Sequence, residues 1–129
     1  LAITPLTRRW QPREMMIGGG LVAAVAFAVV ALDPPWQVQF AAFLVMGIGF
    51  YLLHGCIQVE ASELSTVSRG TAMSLHSLFF FMGHSAGPVL YTLGFAYLGA
   101  SPSVLLGGVV ILAVGLMCAR LLRRRRGDV

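Results

Sequence analysis

Residues 65–99 read STVSRGTAMSLHSLFFFMGHSAGPVLYTLGFAYLG and combine signals that the rest of the chain keeps apart. Hydroxyl residues and one arginine, Arg69, open the stretch. About 28 mostly apolar residues follow, enough in helical form to cross an apolar layer of about 30 Å with room for tilt. Yet the same segment holds Ser74, His76, Ser77, His84, Ser85 and Tyr91, and polar groups at membrane depth are costly, so each demands a reason. At about 100° per residue, His76, Gly83, Gly87 and Gly94 share one narrow strip, with Ser77, His84, Pro88 and Tyr91 on the strip beside it. The first reads as a packing strip and the second as a functional one.

Outward from this stretch the chain is greasier still. Of its 129 residues 57% are hydrophobic and only 11% charged, far from the roughly one-quarter charged composition of soluble domains. The composition therefore predicts an all-α integral membrane protein. Leu1 is no initiator methionine, and Leu-Ala-Ile reads as the end of an apolar segment begun upstream, so a fragment of a longer chain is expected. All 9 basic residues are arginine. Cys56 and Cys118 sit inside apolar runs, where a thiol behaves as a small hydrophobe, so no disulfide framework is expected. No cleavable signal peptide is evident.

Four transmembrane helices are predicted, over about residues 15–32, 37–59, 70–98 and 104–122, preceded by a cytoplasmic loop over 1–14 and followed by a tail over 123–129. Pro5 and Pro12 break the opening, and Asp33, Pro34 and Pro35 end the first span, with Trp36 at the depth that interfacial aromatics prefer. The triplet Gly18, Gly19 and Gly20 allows a neighbouring helix to come close. In the second span Gly47, Tyr51, His54 and Gln58 form one stripe at i, i+4, i+7 and i+11. The third span is expected to bend or loosen near Pro88, which removes a backbone donor. Arginines occupy the first loop, the loop between the second and third spans, and the tail, and no arginine occupies the other two turns. Because cytoplasmic loops hold the positive charge, both ends are placed in the cytoplasm, at the cell (inner) membrane. Apart from Arg120 near the end of the last, the first and last spans lack charge and amides, whereas the middle two hold all 3 histidines. The middle pair is thus expected inside and the outer pair toward lipid.

Two readings compete for the histidines. His54 and His76 fall at a shared depth near the cytoplasmic side and His84 near the midplane, where imidazole could titrate close to working pH or bind solute. Equally, neutral histidines can hydrogen-bond between helices as glue. Gly83 and Gly87 have the spacing for backbone-to-backbone helix packing, with Pro88 as an adjoining hinge. The arginines at 123–126 read as a stop-transfer anchor, with anionic-lipid contact as the sharper version. Glu60 and Glu63 with Arg8, Arg9, Arg13 and Arg69 form either a charge cluster that opens and closes or a merely solvated rim, since exposed ion pairs are weak. There is no HExxH, CxxC, Walker A loop or Ser-His-Asp spacing, so neither an enzyme nor a metal or other cofactor is expected, and nucleic-acid binding is remote.

The order of these features resembles the major facilitator superfamily, specifically its last four helices, nine to twelve. Arg69, Gly70, Thr71 and Ala72 resemble the Arg-Gly-x-Ala start of helix eleven, and Gly83 to Pro88 resembles the Gly-x-x-x-Gly-Pro feature that this helix shares with helix five. The opening PLTRRWQPRE, residues 5–14, is similar to a degenerate Gly-x-x-x-Asp-Arg-x-Gly-Arg-Arg loop, here lacking the Asp and the motif glycine. The resemblance implies a secondary transporter, most like efflux members, that moves a small organic solute by alternating access, facilitative or proton-coupled. It implies a cavity lined by Tyr51, His54 and Gln58 and flanked by His84 and Tyr91, with the outer spans as supports. It further implies a cytoplasmic gate of Arg8, Arg9, Glu60, Glu63 and Arg69, and amides at about residues 68–71 that receive an acidic side chain from the missing half. The partners expected are the lipid bilayer, the solute and the missing N-terminal helices. The rivals are a self-contained four-helix small transporter, whose membrane-embedded glutamate this chain lacks, and a non-transporting scaffold or assembly subunit.

Overall fold

The computed structural model describes residues 11–63 and 67–127, with side chains as far as residue 122. Its elements are four helices: α1 (Pro12–Ala31), α2 (Trp36–Glu63), α3 (Arg69–Leu98) and α4 (Ala100–Gly127). Each is long and apolar enough to span a bilayer, α4 over Ala100–Leu122, so the chain is an all-α, multi-pass membrane protein.

The helix ends differ from the expected ones for local reasons. Pro12 does not break the opening; it is the first residue of α1, where its fixed φ suits a helix and its missing N–H would be unpaired anyway. The Gln11 N–H donates to the Glu14 carboxylate at 3.3 Å, which secures the same turn. Arg8 and Arg9 lie outside the described residues. At the other end of the next helix, α2 runs on through Glu60 to Glu63, so these carboxylates belong to its last turns rather than to a connector, and Ser62 Oγ donates to the Val59 carbonyl there at 2.7 Å.

Between α3 and α4 the expected five-residue turn shrinks to Gly99 alone. Its φ of 88° lies in the left-handed region that glycine enters without a Cβ clash. Ser103 Oγ donates to the Gly99 carbonyl at 2.7 Å and holds the first turn of α4 against it. Replacing Gly99 with alanine is expected to cost about 1 to 3 kcal/mol from the positive-φ backbone alone, read as a lowered Tm of the detergent-solubilised protein. α3 itself continues through Pro88, with Ser85 Oγ donating to the Phe81 carbonyl at 3.0 Å and Thr92 Oγ to the Pro88 carbonyl at 2.8 Å.

Packing follows small residues rather than polarity. α1 lies along both α2 and α4, whereas α3 touches α2 and α4 only lightly. The α1–α2 seam is glycine on glycine: a Cβ on Gly19 would stand 2.7 Å from the Gly49 carbonyl oxygen, and one on Gly49 would stand 2.7 Å from the Gly19 carbonyl oxygen. Gly20 meets Gly115 of α4 in the same manner at 3.5 Å, and a Cβ on Gly108 would press on Phe27 Cβ at 2.9 Å. Beside these seams Met15, Met16, Leu53, Cys56 and Ala119 form the buried core.

Among the described residues, burial within this chain thus follows the close glycine seams rather than the polarity of the helices. α1 is the best-buried helix and α3 has no buried residue. Between helices in lipid there is little hydrophobic drive, and close backbone approach decides which surfaces meet.

Candidate functional site

Because α3 meets its neighbours at few points, it leaves a cleft of about 1120 Å³ among α2, α3 and α4, with Phe27 of α1 at its base. The two points of contact explain the opening. Near its start, α3 leans on α2 through His76 and Phe80, which lie against His54. Near its end it leans on α4, where a Cβ on Gly94 would be 2.8 Å from Ser103 Oγ and the Tyr91 hydroxyl packs on Gly107. Between those contacts the walls separate.

The α2–α3 seam is a row of rings. Phe50 stacks on His54 with centroids 5.4 Å apart and planes 5° from parallel. His54 in turn lies 5.6 Å from His76 and 4.7 Å from Phe80, and Phe80 lies 5.2 Å from His84. All three histidines thus belong to one connected group, and His54 and His76 do share a depth. Nε2 of His76 is buried and has no hydrogen-bond partner among the described residues. Such an atom costs about 1 to 3 kcal/mol until something pairs with it.

The residues singled out in the sequence divide into two sets. His54, His84 and Tyr91 line the cleft, as does Gly87. Tyr51 and Gln58 do not; they are exposed on a strip turned by about 40° to 60° from His54 at 100° per residue. Gly83 and Gly87 have no atom within 4 Å of where a Cβ would stand, so among the described residues they pack against no other helix, and Pro88 is exposed. The strip of His76, Gly87 and Gly94, read as packing, faces the cleft.

At the other end Glu60 lines a separate groove of about 800 Å³ with Ser68, Thr71 and Cys118, while Glu63 and Arg69 are exposed. Ile57, His76 and Phe79 line both hollows and so form the partition between them.

Phe50 and Phe80 went unassigned in the sequence-based site, and His76, weighed there as a titrating group or as glue, was left out of the implied cavity lining, although the signal was present. Phe80 stands four residues from both His76 and His84, and Phe50 four residues before His54, so each ring covers its neighbour on one helix face. Among the described residues lining the cleft, none carries a carboxylate or a guanidinium. Chemically the site offers apolar and aromatic surface, three imidazoles that can carry protons and one phenol.

Comparison with known proteins adds the family context. The family model described as Major Facilitator Superfamily matches residues 1–129. The chain is 32% identical over 80 residues to the uncharacterized MFS-type transporter YfkF of Bacillus subtilis (strain 168), a match over 61% of this chain and 20% of that protein. The aligned part thus spans about a fifth of the relative's length. No solved structure matches the chain.

Proposed function

Because the chain belongs to the major facilitator superfamily, we propose that it is the C-terminal part of an efflux-type secondary transporter that moves a small organic solute by alternating access. The helices would be nine to twelve of that transporter, seated in the inner membrane with both ends of the segment cytoplasmic. In such folds inverted repeats surround a site near the bilayer midplane, and the missing N-terminal helices supply the facing wall.

The observation that carries the reading is the ring row through His54, His76, Phe80 and His84. Ionisable groups placed inside a membrane span mark a substrate or proton path by default. Imidazole is the side chain whose charge changes most readily near neutral pH. On this reading His54 and His84 exchange protons with the solution as the cavity alternates. Tyr51, Gln58 and Tyr91 supply hydrogen-bonding groups to solute, Tyr51 and Gln58 from the exposed strip beside the cleft.

The cytoplasmic gate would combine Glu60, Glu63 and Arg69 with Arg8 and Arg9. Gly83, Gly87 and Pro88 would form the packing and hinge surface against the missing half. Support for the gate comes from Glu60 and the start of α3 bordering one groove, where the first amides of a helix favour an incoming carboxylate.

Single replacements His84→Ala, Tyr51→Phe and Gln58→Ala, assayed for solute transport in the intact membrane protein, test the cavity. Each is expected to lower transport at unchanged expression, His84→Ala most. Unchanged transport in all three would count against the pathway and leave a scaffold subunit as the better description.

A further inference from the structure

We infer that protons reach the histidine row by an entrance of their own, through the groove at Glu60, and cross into the cleft at His76. The inference rests on the reading of the cleft as the solute cavity of a transporter and adds to it the route by which protons arrive.

Two hollows meet at one imidazole. The cleft holds His54 and His84, the groove of about 800 Å³ at the end of α2 holds Glu60, and His76 lines both. Ile57 and Phe79, the other residues shared by the two linings, have no side-chain atom that binds a proton. Among the described residues of the partition, His76 alone is able to pass one. The groove also differs from the cleft in kind. It carries the Glu60 carboxylate and the Thr71 hydroxyl, polar partners for water, and has room for several molecules at about 30 Å³ each.

The state of His76 suits a relay. Its buried Nε2 has no hydrogen-bond partner among the described residues, so that nitrogen is uncommitted. On the cleft side the His54 ring stands 5.6 Å away, centroid to centroid, within reach of a hand-off through one water. The transfer balances without a co-reactant. Glu60 gives up a carboxyl proton and becomes a carboxylate. His76 takes the proton on a bare ring nitrogen, becomes imidazolium, and releases a proton from its other nitrogen to His54. Rotation of the ring, or the reverse passage, restores the starting tautomer.

The titratable groups around His76 come from three helices. On α2 they are His54 and Glu60, and on α4 the Cys118 thiol, which lines the same groove. On α3 itself His84 lies beyond Phe80. α1 contributes Met16 to the groove; its Arg13 and Glu14, like Arg69 of α3 and Arg120 of α4, are exposed and line neither hollow. Among the described residues, a proton arriving at His76 thus meets one carboxylate and no guanidinium. Pairing of Glu60 with arginine in the shut gate would close this entrance together with the cavity, which keeps protons and solute in step.

The test reads the imidazoles directly and needs no transported solute. The full transporter, with isotope-labelled histidine and held in lipid, is followed by NMR through the exchange broadening of its ring nitrogens between about pH 5 and 8. Glu60→Gln is expected to slow proton exchange at His76 and His54 by at least about tenfold, and Glu60→Asp to restore most of it. Unchanged rates in Glu60→Gln would overturn the separate entrance.

His76→Phe keeps a flat ring against His54 and is expected to slow exchange at His54 alike, while His84, which opens onto the cleft, stays near its parent rate. Equal slowing of His54 and His84, or of neither, would overturn the relay at His76. Slowed exchange in a protein that moves no solute would sink the transporter reading and keep the relay. Unchanged exchange in a protein that does transport would do the reverse.

Discussion

Gly19→Ala is expected to destabilise the protein by about 1 to 3 kcal/mol or more, the usual cost of overpacking a filled interior, while Gly18→Ala next to it leaves stability unchanged. The three glycines at 18–20 look interchangeable in the sequence, but their surroundings differ. A methyl on Gly19 would meet the Gly49 carbonyl oxygen at 2.7 Å and the Leu53 nitrogen at 2.9 Å. Both atoms belong to the backbone of α2 and cannot rotate away, so α1 and α2 must separate along their seam.

A methyl on Gly20 meets nothing nearer than 3.5 Å, and one on Gly18 meets nothing within 4 Å. The expected order of stability is therefore Gly18→Ala, then Gly20→Ala, then Gly19→Ala. Thermal challenge of each variant in detergent, followed by size-exclusion chromatography, reads it directly. Equal melting of the Gly18 and Gly19 variants would refute the close α1–α2 seam. Gly49→Ala should match Gly19→Ala, since the clash is reciprocal: its Cβ would stand 2.7 Å from the Ala23 nitrogen and from the Gly19 carbonyl oxygen.

The same seam shows what the sequence could and could not reveal. Four spans were legible because lipid permits so few structures: an uncharged run of about 20 residues has to satisfy its own backbone and becomes a helix. Ends were less legible, since Pro12 can stop a helix or start one, and only the turn beside Gln11 and Glu14 decides. Gly99 could have been one residue of a longer turn; its left-handed backbone makes it the whole turn.

Partnership was least legible. Polarity pointed to α2 and α3 as the enclosed pair, but polarity reports where a group is unwelcome, not which surfaces fit. The fit is set by glycines on α1, α2 and α4 whose reciprocal positions are properties of two helices at once. The histidines show both sides of this. Their depth could be counted from the helix ends and agrees with the contact of His54 and His76. Tyr51 and Gln58, assigned to the same stripe as His54, turn out to lie beside the cleft rather than in it. A stripe about 60° wide on one helix can serve two different surfaces.

Within the proposed transport cycle, His54 is the residue whose replacement should have the largest functional effect for the smallest structural change. It is the hub of the ring row, in contact with Phe50, His76 and Phe80. Phenylalanine at position 54 preserves a flat ring against all three neighbours, and aromatic pairs of that kind are worth about 0.5 to 1.5 kcal/mol each beyond their buried area. His54→Phe should therefore fold and express like the parent. It removes, however, the imidazole nitrogens that could take up and release a proton in the proposed path.

If protons drive solute through this row, the variant still binds solute and still exchanges it across the membrane down its own gradient. It loses uphill movement driven by a proton gradient, and its exchange rate becomes flat across the pH range in which the parent varies. Proteoliposomes loaded with solute, with and without an imposed pH step, separate the two activities. Gradient-driven movement that survives His54→Phe with its pH profile intact would take His54 out of the proton path. Loss of exchange together with uphill transport would instead give His54 a direct role in binding solute, because the ring contacts alone survive in this variant.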